Sequence, residues 1–145
     1  MALELHTEIG INASPAKVWE ILTDFSALPD WNPMMISALG EIAVGQIINV
    51  QLKTEDGKCM TIKPRLLAVH PNKELRWKGH LLVPGIFDGE HRFVIEPHGQ
   101  GVRFIHAEVF SGFLARPLMS LIRKTMLSTF QKMNEALKNR AEAEA

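Results

Sequence analysis

The chain has 145 residues, enough for one domain that buries roughly 70% of the surface its unfolded form exposes. Hydrophobic residues make up 46% and charged residues 22%, and 16 Lys and Arg balance 16 Asp and Glu. That zero balance gives no electrostatic basis for binding nucleic acid or an anionic membrane. One cysteine, Cys59, excludes an internal disulfide framework and a multi-cysteine metal site.

The opening residues show no basic start followed by an apolar core, as a signal peptide would. No stretch approaches the ~20 apolar residues of a membrane span. The expectation is a single domain over residues 1–145, in the cytoplasm, without stable membrane insertion.

Leu3 to Ile11 alternates, with Leu3, Leu5, Thr7, Ile9 and Ile11 on one side, which predicts a half-buried strand. Ser14-Pro15 is a helix start: serine caps, and proline at the first helical position needs no N–H partner. Val18, Ile21, Leu22 and Phe25 follow at helical spacing, and Ser26-Ala27-Leu28 suits one more short turn. Pro29 to Pro33 reads as a rigid loop carrying Trp31.

From Met34 to Val109 the signals are strands and turns. Ile47 to Lys53 alternates up to Asp56-Gly57, a two-residue hairpin signal. Cys59 to Val69 is the return strand, with Pro64 at a bulge or edge. Further strands are predicted over Leu75 to Val83, Phe87 to Ile95 and Val102 to Phe110. Leu118, Leu121, Ile122, Met126, Phe130, Met133 and Leu137 then recur every three or four residues, predicting a helix from about Arg116 to Arg140 and a frayed end from Ala141.

The order predicts an α+β fold: a seven-stranded curved antiparallel sheet wrapped around one long C-terminal helix, with two short helices between the first two strands. A helix about 10 Å across does not fill so wide a sheet. Either large side chains close the gap or a cavity remains.

Several blocks carry a resemblance. They are Ile11-Asn12-Ala13-Ser14-Pro15-Ala16-Lys17-Val18-Trp19 with Leu22-Thr23-Asp24-Phe25, then Leu75-Arg76-Trp77-Lys78-Gly79, Phe87 to Phe93, and Val102 to Gly112. On these the chain resembles the START-like (SRPBCC) superfamily of polyketide cyclase/dehydrase and lipid-transport proteins. The resemblance implies a helix-grip fold with a hydrophobic ligand cavity between sheet and long helix. It does not fix an activity, because members include carriers, cyclases, receptors and co-chaperone-like modules.

Candidate chemistry lies in the last hairpin. A turn over Pro97 to Gln100 sets His91 opposite His106, Phe93 opposite Phe104 and Gly89 opposite Glu108. Phe93, Ile95, Val102 and Phe104 make that face apolar, so His91, His106 and Glu108 point inward with them. Three uses are open. The trio is a self-satisfied polar network, an anchor for the polar end of an apolar ligand, or an acid/base group. Two histidines and a carboxylate also suit zinc, although nothing in the spacing demands it, and no metal is expected.

The expected ligand wall is Trp31, Trp77, Phe87, His91, Phe93, Phe104, His106, Glu108, Phe113, Met126 and Phe130. Trp31 is a lip of the entrance or a plug at a sheet end. The apolar segments around Phe87 and Phe113 are a gate or membrane-touching lip, or simply pack on each other. No phosphate-binding glycine loop or nucleophile elbow occurs, and no cofactor is expected. The favoured function is binding a small hydrophobic molecule; the alternative is a polyketide cyclase-type enzyme with cavity histidines as acid and base. The absence of any tyrosine, and the outward register of Arg92 and Arg103, count against the alternative. No segment marks a protein partner.

Overall fold

The computed structural model describes residues 3–81 and 83–144. Strand β1 (Leu3–Ile11) leads into α1 (Pro15–Thr23), a 3-10 turn (Phe25–Ala27) and α2 (Leu28–Trp31). Seven strands follow: β2 (Met35–Leu39), β3 (Asn49–Lys53), β4 (Cys59–Ile62), β5 (Arg65–His70), β6 (Glu74–His80), β7 (Asp88–His98) and β8 (Gly101–Ser111). Helix α3 (Ala115–Glu144) closes the chain.

The helix-grip architecture is as expected, but the eight strands divide into two antiparallel sheets. One has the order β1-β8-β7-β6-β5 and the other β2-β3-β4. The division falls at Lys63-Pro64, where the expected single strand from Cys59 to Val69 breaks. Proline cannot donate to a ladder, so pairing stops there and restarts at Arg65. A bridge between Ile47 and Arg65, and an N–H···O bond from Ile48 to Pro64, keep the sheets continuous in space.

Ser14 caps α1 as expected, its hydroxyl accepting from the Lys17 N–H at 3.1 Å. Trp31 ends the short helix α2 rather than standing in a loop. The Asp56-Gly57 hairpin is looser than expected. Five residues separate Lys53 from Cys59, and of the five only Gly57 has positive φ. Helix α3 runs to Glu144, so the frayed end expected from Ala141 is helical. Lys138–Glu142 and Arg140–Glu144 pairs, each four residues apart, line that last stretch. Among the described residues, no helix is long and apolar enough to cross a membrane.

α3 lies across β1 and β8. The core between them holds Leu5, Ile11, Trp77, Phe93, Phe104, Phe130, Met133 and Leu137. The β3–β4 turn reaches α3 from the other side. Glu55 donates its N–H to Thr129 Oγ1 at 3.0 Å, and its carboxylate pairs with Lys132 at 3.6 Å.

Candidate functional site

The β7–β8 hairpin turns on Gly99-Gln100 alone. Gly99 has φ +60° and Gln100 does not have positive φ, the pattern of a turn with glycine at its first central position. Pro97 and His98 therefore belong to β7 and pair with Val102 and Gly101. Pro97 lies past the end of β6, whose pairing with β7 stops at Val94, so its missing N–H leaves no ladder bond unmade. The register differs from the expected one by two residues. His91 faces Glu108, Phe93 faces His106, and Gly89 faces Phe110. A two-residue slip keeps every side chain on its face. His91, His106 and Glu108 do point inward.

They form a chain of hydrogen bonds. Glu108 Oε1 lies 3.1 Å from His91 Nδ1, and His91 Nε2 lies 2.7 Å from His106 Nε2. His106 Nδ1 lies 2.9 Å from Asn134 Oδ1 on α3, and Asn134 Nδ2 donates to Thr7 Oγ1 on β1 at 2.8 Å. Thr7 donates its hydroxyl to the His106 carbonyl at 2.7 Å. Four elements thus meet in one row.

Donors and acceptors can be assigned from the carbonyl outward. A carbonyl only accepts, so the Thr7 proton is spent on it. Thr7 Oγ1 then accepts, which turns the Asn134 amide nitrogen toward it and leaves Oδ1 for His106. His106 must carry its proton on Nδ1. Burial pushes the His106 imidazole well below its usual value; a charge on His91 would lower it further, and the Asn134 bond opposes both. Neutral His106 therefore offers a lone pair at Nε2, and His91 must donate from Nε2. What remains is His91 Nδ1 against Glu108 Oε1. One proton shared between them makes a good bond, whichever atom holds it. Both ring nitrogens of each histidine are thereby engaged, which leaves the zinc reading no free imidazole lone pair.

The rings are close-packed. His106 stacks on Phe130 with centroids 4.1 Å apart and planes 9° apart, and His91 lies 4.5 Å from Phe93, 5.1 Å from Phe130 and 5.5 Å from Trp77. At this level the sheet and α3 are in ring-to-ring contact, where the sequence left room for a hollow. His106, Phe93, Phe104 and Phe130 are 0% exposed and Trp77 is almost as deep. They are core.

Glu108 differs. Its side chain keeps 13% exposure although its position points inward. Its Oε2 makes no hydrogen bond among the described residues. A Cβ on Gly89 would overlap that oxygen, so the missing side chain at Gly89 is what leaves the carboxylate its place. Phe110, two residues on, stacks on Phe87 at 5.5 Å. β8 and α3 run in opposite senses, so the step from His106 to Phe110 is matched by the step from Phe130 back to Met126 and Ile122. Phe87, Ile122 and Met126 pack on the core but are only half-buried.

Two expected wall residues lie elsewhere. Trp31 lines a crevice of about 40 Å³ with Glu20, Ile21, Asp24, Ala27, Arg140 and Glu144, at the far end of α3. Phe113 is 86% exposed and points away from the interior. Ala115, where α3 begins just after Phe113, and Arg140 are about 38 Å apart along the helix axis, so Trp31 cannot share an entrance with Phe113. Conversely, the sequence reading gave no role to Thr7 or Asn134. Each interrupts an apolar series, Thr7 between Leu5 and Ile9 and Asn134 four residues after Phe130, and that interruption was the available signal.

The structure is an α+β domain in which antiparallel strands wrap one long C-terminal helix. The profile of the family described as polyketide cyclase / dehydrase and lipid transport matches residues 2–142, and the chain belongs to that family. Similar solved structures include the Zhui aromatase/cyclase from Streptomyces sp. R1128 (TM-score 0.80, 13% identity, 99% of this chain and 96% of that one). A START superfamily protein from Mycobacterium smegmatis is also similar (0.76, 18%, 98% and 99%). So is the di-domain aromatase/cyclase StfQ of the steffimycin biosynthetic pathway (0.78, 13%, 99% and 52%). The chain spans about half the length of StfQ and of a second di-domain aromatase/cyclase, BexL. At these identities the likeness shows the fold. No curated protein matches the chain.

Proposed function

We propose that this domain binds a small, mainly apolar molecule whose polar group meets Glu108. The observation that carries this reading is the open end of the buried network. Glu108 Oε2 has no protein partner among the described residues and keeps its solvent exposure inside an otherwise sealed apolar row. An inward carboxyl group with one oxygen fixed by His91 and the other free is an anchor for a hydroxyl, enol or amide. Phe87, Phe110, Ile122 and Met126 supply the apolar wall beside it. His91 orients the anchor, and His106, Asn134 and Thr7 hold His91. Trp77, Phe93, Phe104 and Phe130 form the packed floor. The named activities of the aromatase/cyclases are consistent with such a ligand.

The test is displacement of a fluorescent naphthalene-sulfonate dye by a panel of hydroxylated aromatic and acyl compounds, with native mass spectrometry of the purified protein. Binding should be weakened at least tenfold by Glu108→Leu and much less by Phe113→Ser. A panel in which no compound displaces the dye or raises the melting temperature, with no small molecule carried through purification, would sink the reading.

One observation favours catalysis as a second reading. The proton shared by His91 and Glu108 can be passed through the carboxyl group to a bound carbonyl compound and must then return, because without it His91 Nδ1 and Glu108 Oε1 are two facing acceptors. Glu108→Gln keeps the shape and removes the acid. Turnover of a poly-β-ketone substrate that survives this change would exclude it.

A further inference from the structure

We infer that the end of the molecule carrying Val83, Phe113 and the first turns of α3 docks peripherally on an anionic lipid surface. Phe113 is 86% exposed and Leu121 80%, and Leu81, Val83 and Leu114 are exposed beside them. Leu114, just before α3, and Pro117 and Leu121 on its first turns fall three and four residues apart, a single stripe directed away from the core-facing Met119, Met126 and Phe130.

These side chains stand on a fixed platform. Phe113 donates its N–H to Gly85 O at 2.9 Å, and Leu114 donates to Ile86 O at 2.8 Å. Both Asp88 carboxylate oxygens lie 3.1 Å from the Gly85 nitrogen and accept from its N–H. Gly112, at φ +109°, lets the two segments meet, because a side chain there would strike the Ile86 carbonyl. Exposed aromatic and aliphatic groups held rigidly outward form a patch for a partner rather than a loose loop.

Charge selects the partner. From Val109 to Asn134 the sequence has no Asp or Glu and carries Arg116, Arg123, Lys124 and Lys132. Lys132 pairs with Glu55; among the described residues Arg116, Arg123 and Lys124 have no acidic partner. Two acids lie near: Asp88 is buried and turned into its own loop, and Glu4, whose carbonyl oxygen accepts from Arg123, pairs its carboxylate with Arg92, so Arg116 and Lys124 are the cations left for a partner. The zero net charge of the whole chain thus conceals a locally cationic, apolar end. A second copy laid on it about a twofold axis would set one cationic, acid-free face against another. An anionic lipid surface offers the complement, with the apolar stripe entering the headgroup layer and the cations above it.

Co-sedimentation with vesicles tests this. The full chain should bind vesicles of phosphatidylcholine mixed with phosphatidylglycerol far more than phosphatidylcholine alone, and lose that preference at high salt. Each cation near the surface contributes about fivefold in affinity, so the pair Arg116→Gln and Lys124→Gln should cost at least about tenfold. The pair Phe113→Ser and Leu121→Ser should abolish binding while leaving the melting temperature and circular dichroism unchanged, since both side chains are exposed. Equal binding to the two vesicle types, or wild-type binding by the serine pair, overturns the inference. So does light scattering that shows a dimer broken by the serine pair, which would make this face a contact between copies.

Discussion

The Nε2 atoms of His91 and His106 stand 2.7 Å apart, and the proton between them belongs to His91. The assignment begins at the His106 carbonyl and passes through Thr7 and Asn134, so it depends on atoms from β1 and α3 as much as on the hairpin. Nitrogen-15 NMR of the imidazoles should show His106 protonated at Nδ1 and unprotonated at Nε2 near neutral pH. A His106 signal of the Nε2–H form would show that the network runs the other way.

Breaking the network at Asn134 should cost more than one ordinary hydrogen bond. Asn134→Leu removes the acceptor of the His106 Nδ1–H and the donor to Thr7 Oγ1, which keeps only its own bond to the His106 carbonyl, and should destabilise by about 2–3 kcal/mol. Thr7→Val should cost about 1–2 kcal/mol. The double variant should cost less than their sum by roughly 1 kcal/mol, since both changes remove the same bond. Chemical denaturation of the four proteins measures this, and strict additivity would mean the two residues act separately.

The buried imidazole makes stability depend on pH in one direction. Burial holds His106 neutral in the folded state, whereas the unfolded state takes up a proton near the ordinary imidazole value of about 6.5. Below that point the unfolded chain binds more protons, so stability present above pH 6.5 is lost as pH falls. The slope from this group approaches about 1.4 kcal/mol per pH unit. His106→Gln can accept from His91 and donate to Asn134, and should flatten the profile between pH 6.5 and 5. Denaturation midpoints of both proteins across that range decide it. An equally steep loss in the variant would place the titration elsewhere.

Gly89 supplies a sharper probe of Glu108 than replacing the acid. In Gly89→Ala the new methyl group meets the flexible carboxylate end rather than backbone, so Glu108 swings aside and the fold survives. A stability loss of about 1 kcal/mol is expected, the size of one hydrogen bond. Dye and ligand binding should fall severalfold with it. Unchanged binding would separate Glu108 from the ligand.

Much of this was legible in the sequence. The alternation of β1, the Ser14-Pro15 helix start and the α3 stripe each reported one element directly. So did the parity of His91, Phe93 and Ile95 against Phe104, His106 and Glu108, because facing is a property of odd and even positions. Register was not legible. Pro97 reads as a turn residue, and only the end of β6 at this level shows that it can sit in a strand. The break at Pro64 reads as a bulge or edge position, because Cys59 to Val69 holds no other turn residue. Ring stacking of His106 on Phe130 joins residues 24 positions apart on different elements, which no local pattern reports. Trp31 was misplaced because loop and one-turn helix differ by a single hydrogen bond, from Asn32 N–H to Leu28 O.

Thr7 and Asn134 are 127 positions apart, one near each end of the chain, and they are hydrogen-bonded. During synthesis the hairpin exists long before its closing helix does. Until Asn134 emerges and α3 settles, two imidazoles and a carboxyl group lie on an oily half-built surface with only water to satisfy them. Packing of α3 both covers the apolar face and brings Asn134 to His106 and Thr7, so drying the interior and fixing the protons are one step.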